Sequence, residues 1–102
     1  MKKQKAENKK AQSEWVEGSV QDFLGLSAAD MEFIETKLAI SRLLKATRRQ
    51  QKLTQQAAAS KLHTSQSRLA KMEAGDASVS LDLLIKSLYS LGVSRKKLAA
   101  IF

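Results

Sequence analysis

Hydrophobic positions in the C-terminal part of the chain recur at the spacing of a helix, not of a strand. Leu81, Leu84, Ile85 and Leu88 stand at i, i+3, i+4 and i+7, with Ser80 placed to cap the helix and Gly92 to stop it. Ser94 opens a last short helix through Leu98 to Ile101. Upstream, residues 27–51 read as one long helix. Ser27 caps it, Asp30 and Glu32 occupy its first turn, and Lys45, Arg48, Arg49 and Lys52 gather at its far end, the polarity that the helix dipole favours. At about 100° per residue its apolar positions form two stripes, Met31, Ile34 and Leu38 on one face and Phe33, Ile40, Leu43 and Leu44 broadly opposite. One stripe should pack on the helices that follow. The other needs a second cover, from the Trp15–Leu26 segment or from another chain.

Between these helices lies Leu53 to Gly75, LTQQAAASKLHTSQSRLAKMEAG. Thr54 is placed to cap a first short helix rich in alanine, the best helix former and small enough to admit a neighbouring backbone. Leu62 closes that helix and His63-Thr64 makes a corner. Thr64 or Ser65 caps a second helix, apolar at Leu69 and Met72, that Gly75 ends. Two such helices joined by a turn of three to four residues predict a helix-turn-helix. With helical patterning from Ser27 to Phe102 and no proline, the class is all-α.

The residues Leu53-Thr54-Gln55, Ala59, Ser65-Gln66-Ser67 and Met72-Glu73-Ala74-Gly75 resemble the Cro/phage-repressor (XRE) type of helix-turn-helix. The resemblance implies a lambda-repressor-like domain of five helices over residues 27–102. Residues 1–26 are set apart as a basic tail followed by an apolar and acidic segment. Two positions depart from the family's habit. The corner, usually glycine, is His63, a residue type enriched among non-glycine residues at positive φ, and Ala58 stands where a larger apolar residue is usual.

Charge adds a direction to this outline. The net charge is +8, unevenly spread: residues 1–10 carry +4, residues 11–40 carry −5, residues 41–75 carry +7 and residues 76–102 carry +2. The basic pole coincides with the motif, as a phosphate-facing surface requires, since neutralising phosphates releases counterions. Met1 to Ser13, rich in lysine and glutamine, has too little apolar surface to offset ordering and is expected to be disordered. Trp15, Val16, Val20, Phe23, Leu24 and Leu26 follow among Glu14, Glu17 and Asp22, a combination that suits either a flap on the domain or a partner-binding segment.

Other chemistries find no support in the residues. There is no cysteine, no metal-ligand cluster, no glycine-rich phosphate loop and no catalytic pairing for the single histidine, so neither an enzyme, a cofactor nor a small-molecule substrate is expected. No apolar run approaches the ~18 residues of a membrane span, and the basic start lacks a signal peptide's apolar region, so a cytoplasmic, nucleoid-associated location is expected.

The resemblance assigns roles residue by residue. Gln66, Ser67, Lys71 and Arg68 would face base edges in the major groove. Gln55, at the start of the first short helix and helped by its N-terminus, would fix the motif on a phosphate, with Thr54, Ser65, Arg48 and Arg49 around it. A single motif reads few bases, so a homodimer on a pseudo-palindromic operator is expected. The long leading helix running into LTQ on a short chain is similar to HigA-type antitoxins. That implies repression of its own operon and neutralisation of a RelE/HigB-like, mRNA-cleaving toxin, a small basic protein. Trp15, Phe23, Leu24, Ile34 and Leu38 would form the partner surface. A stand-alone prophage or cellular repressor of the same family is the alternative.

Overall fold

The computed structural model describes residue 23 and residues 25–102. It partitions into two units, Met1–Phe33 and Ile34–Phe102. The expectations placed on residues 1–22 and on Leu24, including the disordered tail and the roles of Trp15 and Leu24, lie outside the described residues. Five helices and no strand are found among the described residues: α1 (Ala28–Gln50), α2 (Gln55–Lys61), α3 (Gln66–Ala74), α4 (Leu81–Ser90) and α5 (Arg95–Ala99). This is the all-α class that the pattern predicts and the five-helix arrangement that the resemblance implies.

Each helix begins on a residue expected to cap it, with Ser65 rather than Thr64 at α3. At α1 the Ser27 Oγ accepts the Asp30 N–H at 3.0 Å while the Asp30 carboxylate accepts the Ser27 N–H at 2.9 Å, a reciprocal box in the manner of Ser/Glu pairs. Those two hydrogen bonds hold the Asp30 carboxyl below its ordinary pKa, the backbone one contributing most. Thr54, Ser65, Ser80 and Ser94 each accept from the backbone N–H three residues on, between 3.0 and 3.2 Å. A cap of this kind stabilises a helix by about 1 kcal/mol, which matters most for the short α2 and α5.

The first four helices also end alike, and here the sequence pattern shows only part of the device. A residue at positive φ follows each one: Lys52 (59°), His63 (57°), Gly75 (73°) and Gly92 (94°). In every case the next N–H reaches back to a carbonyl five residues earlier: Leu53 to Arg48, Thr64 to Ala59, Asp76 to Lys71 and Val93 to Leu88, at 2.9–3.1 Å. These are Schellman closures, which satisfy carbonyls that a helix end would leave without partners. Each reverses the chain within a few residues, so short helices can pack on one another. His63 takes the left-handed corner as expected. Lys52 does the same at the α1–α2 corner, where composition gives no sign of it.

Every helix of the second unit contributes to one core. Ile40 and Leu44 come from α1, Ala58 and Ala59 from α2, Leu69 and Met72 from α3, Leu84 and Leu88 from α4, and Leu98 from α5, with Val79, Leu91 and Val93 added by the connections. Leu81, Ile85 and Leu43 pack against it from partly buried positions. Ala58 and Ala59, with no side chain beyond Cβ, let α2 lie directly on α3. Of the two α1 stripes, Ile40 and Leu44 are the ones that reach the core. Phe33 and Ile34 stay exposed, and Leu38 is half-buried against Gly75.

Side-chain ties fasten the connections. Gln51 donates to the Leu91 carbonyl at 2.6 Å, joining the end of α1 to the end of α4. Lys37 donates to the Asp76 carbonyl at 3.2 Å. The Asp76 carboxylate accepts both the N–H and the hydroxyl of Ser78, and these bonds, the hydroxyl first, lower its pKa.

The corners differ in what they tolerate. A Cβ on Gly75 would meet Leu38 Cδ2 at 2.5 Å on top of the strain of its positive φ, so Gly75→Ala should lower stability by about 2 kcal/mol. His63→Gly should be neutral or stabilising by up to about 1 kcal/mol, since glycine removes the strain of the left-handed conformation. Urea unfolding of the two variants checks both signs.

Candidate nucleic-acid interface

The α3 helix is nine residues long, too short to persist in water alone, so its position rests on what it buries. Leu69 and Met72 are fully enclosed, each stabilising by roughly 1.5–3 kcal/mol, and Glu73 lies beside them at 8 % exposure. At about 100° per residue these three occupy one narrow arc. The remaining positions face outward. Ser67 and Lys71 lie on that outer arc and are exposed, and Gln66 and Arg68 lie at its two edges, also exposed. The expected base-reading set is therefore brought onto one open surface. Ala70 and Ala74 fall within the same arc, and their small side chains let a flat partner approach the helix closely.

The start of α3 is set by Ser65, whose Oγ accepts the Arg68 N–H at 3.1 Å and lies 3.4 Å from the Ser67 Oγ. Thr54 spends its hydroxyl likewise, on the Ala57 N–H at 3.0 Å. Gln55 is half-buried and donates its amide to Glu73 Oε1 at 3.2 Å, so its side chain is held against α3. Arg49 is exposed at the end of α1.

Arg48 departs from expectation. Expected at the phosphate surface, it is turned inward, and its guanidinium is committed. Its Nε donates to Glu73 Oε2 at 2.5 Å, its Nη2 to Glu73 Oε1 at 3.1 Å and its Nη1 to the Leu53 carbonyl at 2.9 Å. The two side chains are 11 % and 3 % exposed. Arg48 is a strut that joins α1, the α1–α2 corner and α3. An arginine near a basic helix end reads as a surface cation until its carboxylate, 25 residues away, is located. Glu73 accordingly has a structural role, accepting from Arg48 and from Gln55.

A helix-turn-helix family model matches residues 44–98, more than half of the chain, and covers the last turns of α1 through α5. The chain belongs to the XRE type of helix-turn-helix family. It is thus a DNA-binding regulator of transcription, with α2 and α3 as the two helices of the motif. No curated protein and no solved structure matches the chain. Among the described residues no group of histidine and acidic side chains could hold a metal ion, and no helix is long and apolar enough to cross a membrane.

The strut yields the sharpest stability test. Removing one partner leaves a buried charge unpaired, so Glu73→Ala should cost about 3–5 kcal/mol and Arg48→Ala a similar amount. The double variant should lose less than the two singles added together, because each removes the other's partner. A denaturation cycle over the four proteins measures this.

Proposed function

We propose that the chain is a sequence-specific repressor that reads the major groove with the outer arc of α3. The exposure of Gln66, Ser67 and Lys71 on one side, while Leu69, Met72 and Glu73 are buried on the other, is the observation that carries this reading. Gln66, in the first turn, suits the bidentate pairing of an amide with adenine N6 and N7. Lys71, one turn later, suits guanine or a phosphate, and Arg68 an outer base or the backbone. Thr54, Gln55 and Ser65 stand at the start of the two helices and, with Arg49 at the end of α1, serve the phosphates, while Arg48 serves the fold. A homodimer on a pseudo-palindrome supplies the base count that one motif lacks.

The same chain acts as an antitoxin in this proposal, repressing its own operon and binding a small, basic, RelE/HigB-like toxin. Supporting this are the −5 charge of residues 11–40 and the apolar side chains set within it, of which Phe23 is 88 % and Phe33 51 % exposed. Ile34 is exposed as well, whereas Leu38 is engaged with Gly75 and contributes less. The alternative is a free-standing repressor whose only protein partner is itself.

With a selected operator, Gln66→Ala should cost about 1–3 kcal/mol and relax specificity at one base position, whereas Arg49→Ala should weaken all duplexes alike. Unaltered affinity and specificity in Gln66→Ala would remove it as the reading residue. For the toxin half, Trp15→Ala should cost about 2 kcal/mol of binding to a small basic protein encoded next to this chain while leaving operator affinity unchanged. Failure of the intact chain to bind such a protein favours the free-standing repressor.

A further inference from the structure

The α1 helix presents a second basic surface that the recognition motif does not use. Its inner face is occupied by Ile40, Ser41, Leu44, Thr47 and Arg48, all buried. Turned roughly 130° away on average are Arg42, Lys45 and Arg49, all exposed and separated by about one helical turn at each step. Together with Ala46 and Gln50 they line an open surface groove. From Ile34 onward in α1, Glu35 is the single acidic residue, two turns before Arg42.

The geometry points to this groove as a second, sequence-independent surface for the DNA backbone, distinct from the base-reading arc of α3. The inference rests on the DNA-binding reading above and adds to it a contact that lies outside the motif. Three features favour a phosphodiester strand. Arg42 to Arg49 spans about 10 Å of helix, which matches about three nucleotide steps at roughly 3.4 Å of duplex axis each. Ala46 leaves the groove shallow, so a strand can lie along it without meeting a large side chain. Arg42 and Lys45 supply exposed positive charge for phosphates, and Arg49 carries the row to the α1–α2 corner, from which the chain runs into Thr54 and Gln55. Such a surface raises affinity for every duplex and leaves discrimination to Gln66, Ser67 and Lys71.

The test is the salt dependence of binding by the full chain and by Arg42→Gln/Lys45→Gln, each with a selected operator and with a random duplex of equal length. Both residues are exposed, and thermal melting of the double variant, expected at the parent's temperature, controls for folding. Each phosphate neutralised contributes about 0.9 to the slope of log K against log salt, so the double variant should be shallower by about 1.8 on both duplexes. The ratio of operator to random affinity should stay within about twofold of the parent's. An unchanged slope overturns the inference, and so does a fall in that ratio, which would place the two residues in base reading. Poly-glutamate bound through Arg42 and Lys45 with an unchanged DNA slope would assign the groove to an acidic protein instead. If the unaltered chain binds no duplex at all, the DNA reading fails and the groove's role fails with it.

Discussion

The recognition helix is held by one buried ion pair more than by any other polar contact. Glu73 and Arg48 face each other with both carboxylate oxygens engaged, and the third guanidinium nitrogen is closed off by the Leu53 carbonyl. Two buried charges cost several kcal/mol each to take out of water, and only such complete pairing offsets that cost. The pair's value therefore lies less in net stability than in geometry. A bidentate fork fixes distance and angle together, so α3 cannot slide or roll against α1 without breaking it. Gln55 joins the same carboxylate from α2, so the first helix of the motif is registered on the second through one side chain.

Around that node the chain economises on length. None of the helices after α1 exceeds ten residues, and α2 has seven. Helices so short persist because a cap opens each and the buried face of each joins a shared core. Left-handed corners make this packing possible by turning the chain at once. Two are glycines and two, Lys52 and His63, are not. The latter pair carry about 1–2 kcal/mol of backbone strain each, which the packed core sustains.

The charge map separates the functions that the fold has to combine. In the proposed reading, basic residues on the outside of α1 and α3 serve attraction to a polyanion, which is long-ranged and indifferent to sequence. In the same reading, amide and hydroxyl groups at the start of α3 serve selection, which acts only at contact. Arg48 shows that a positive charge in the basic pole need not belong to the first group.

The sequence by itself determined what depends on neighbours within about five residues. The capping residues Ser27, Thr54, Ser65, Ser80 and Ser94, the stops at Gly75 and Gly92, the corner at His63 and the leucine spacing of α4 are all local hydrogen bonds or local periodicity, so they can be read from a window. The outer arc of α3 followed as soon as Leu69 and Met72 were recognised as its buried side. Tertiary structure alone decided the rest. The fate of Arg48 hinged on a carboxylate 25 residues away, and that of Gln55 on the same carboxylate 18 residues away. The choice between the two stripes of α1 depended on which of them entered the core that also holds Leu69, Met72 and Leu84. Leu38 was a free apolar residue until Gly75 came to rest against it. Contacts of that range leave no periodic mark in the chain, because they are selected by how the helices assemble.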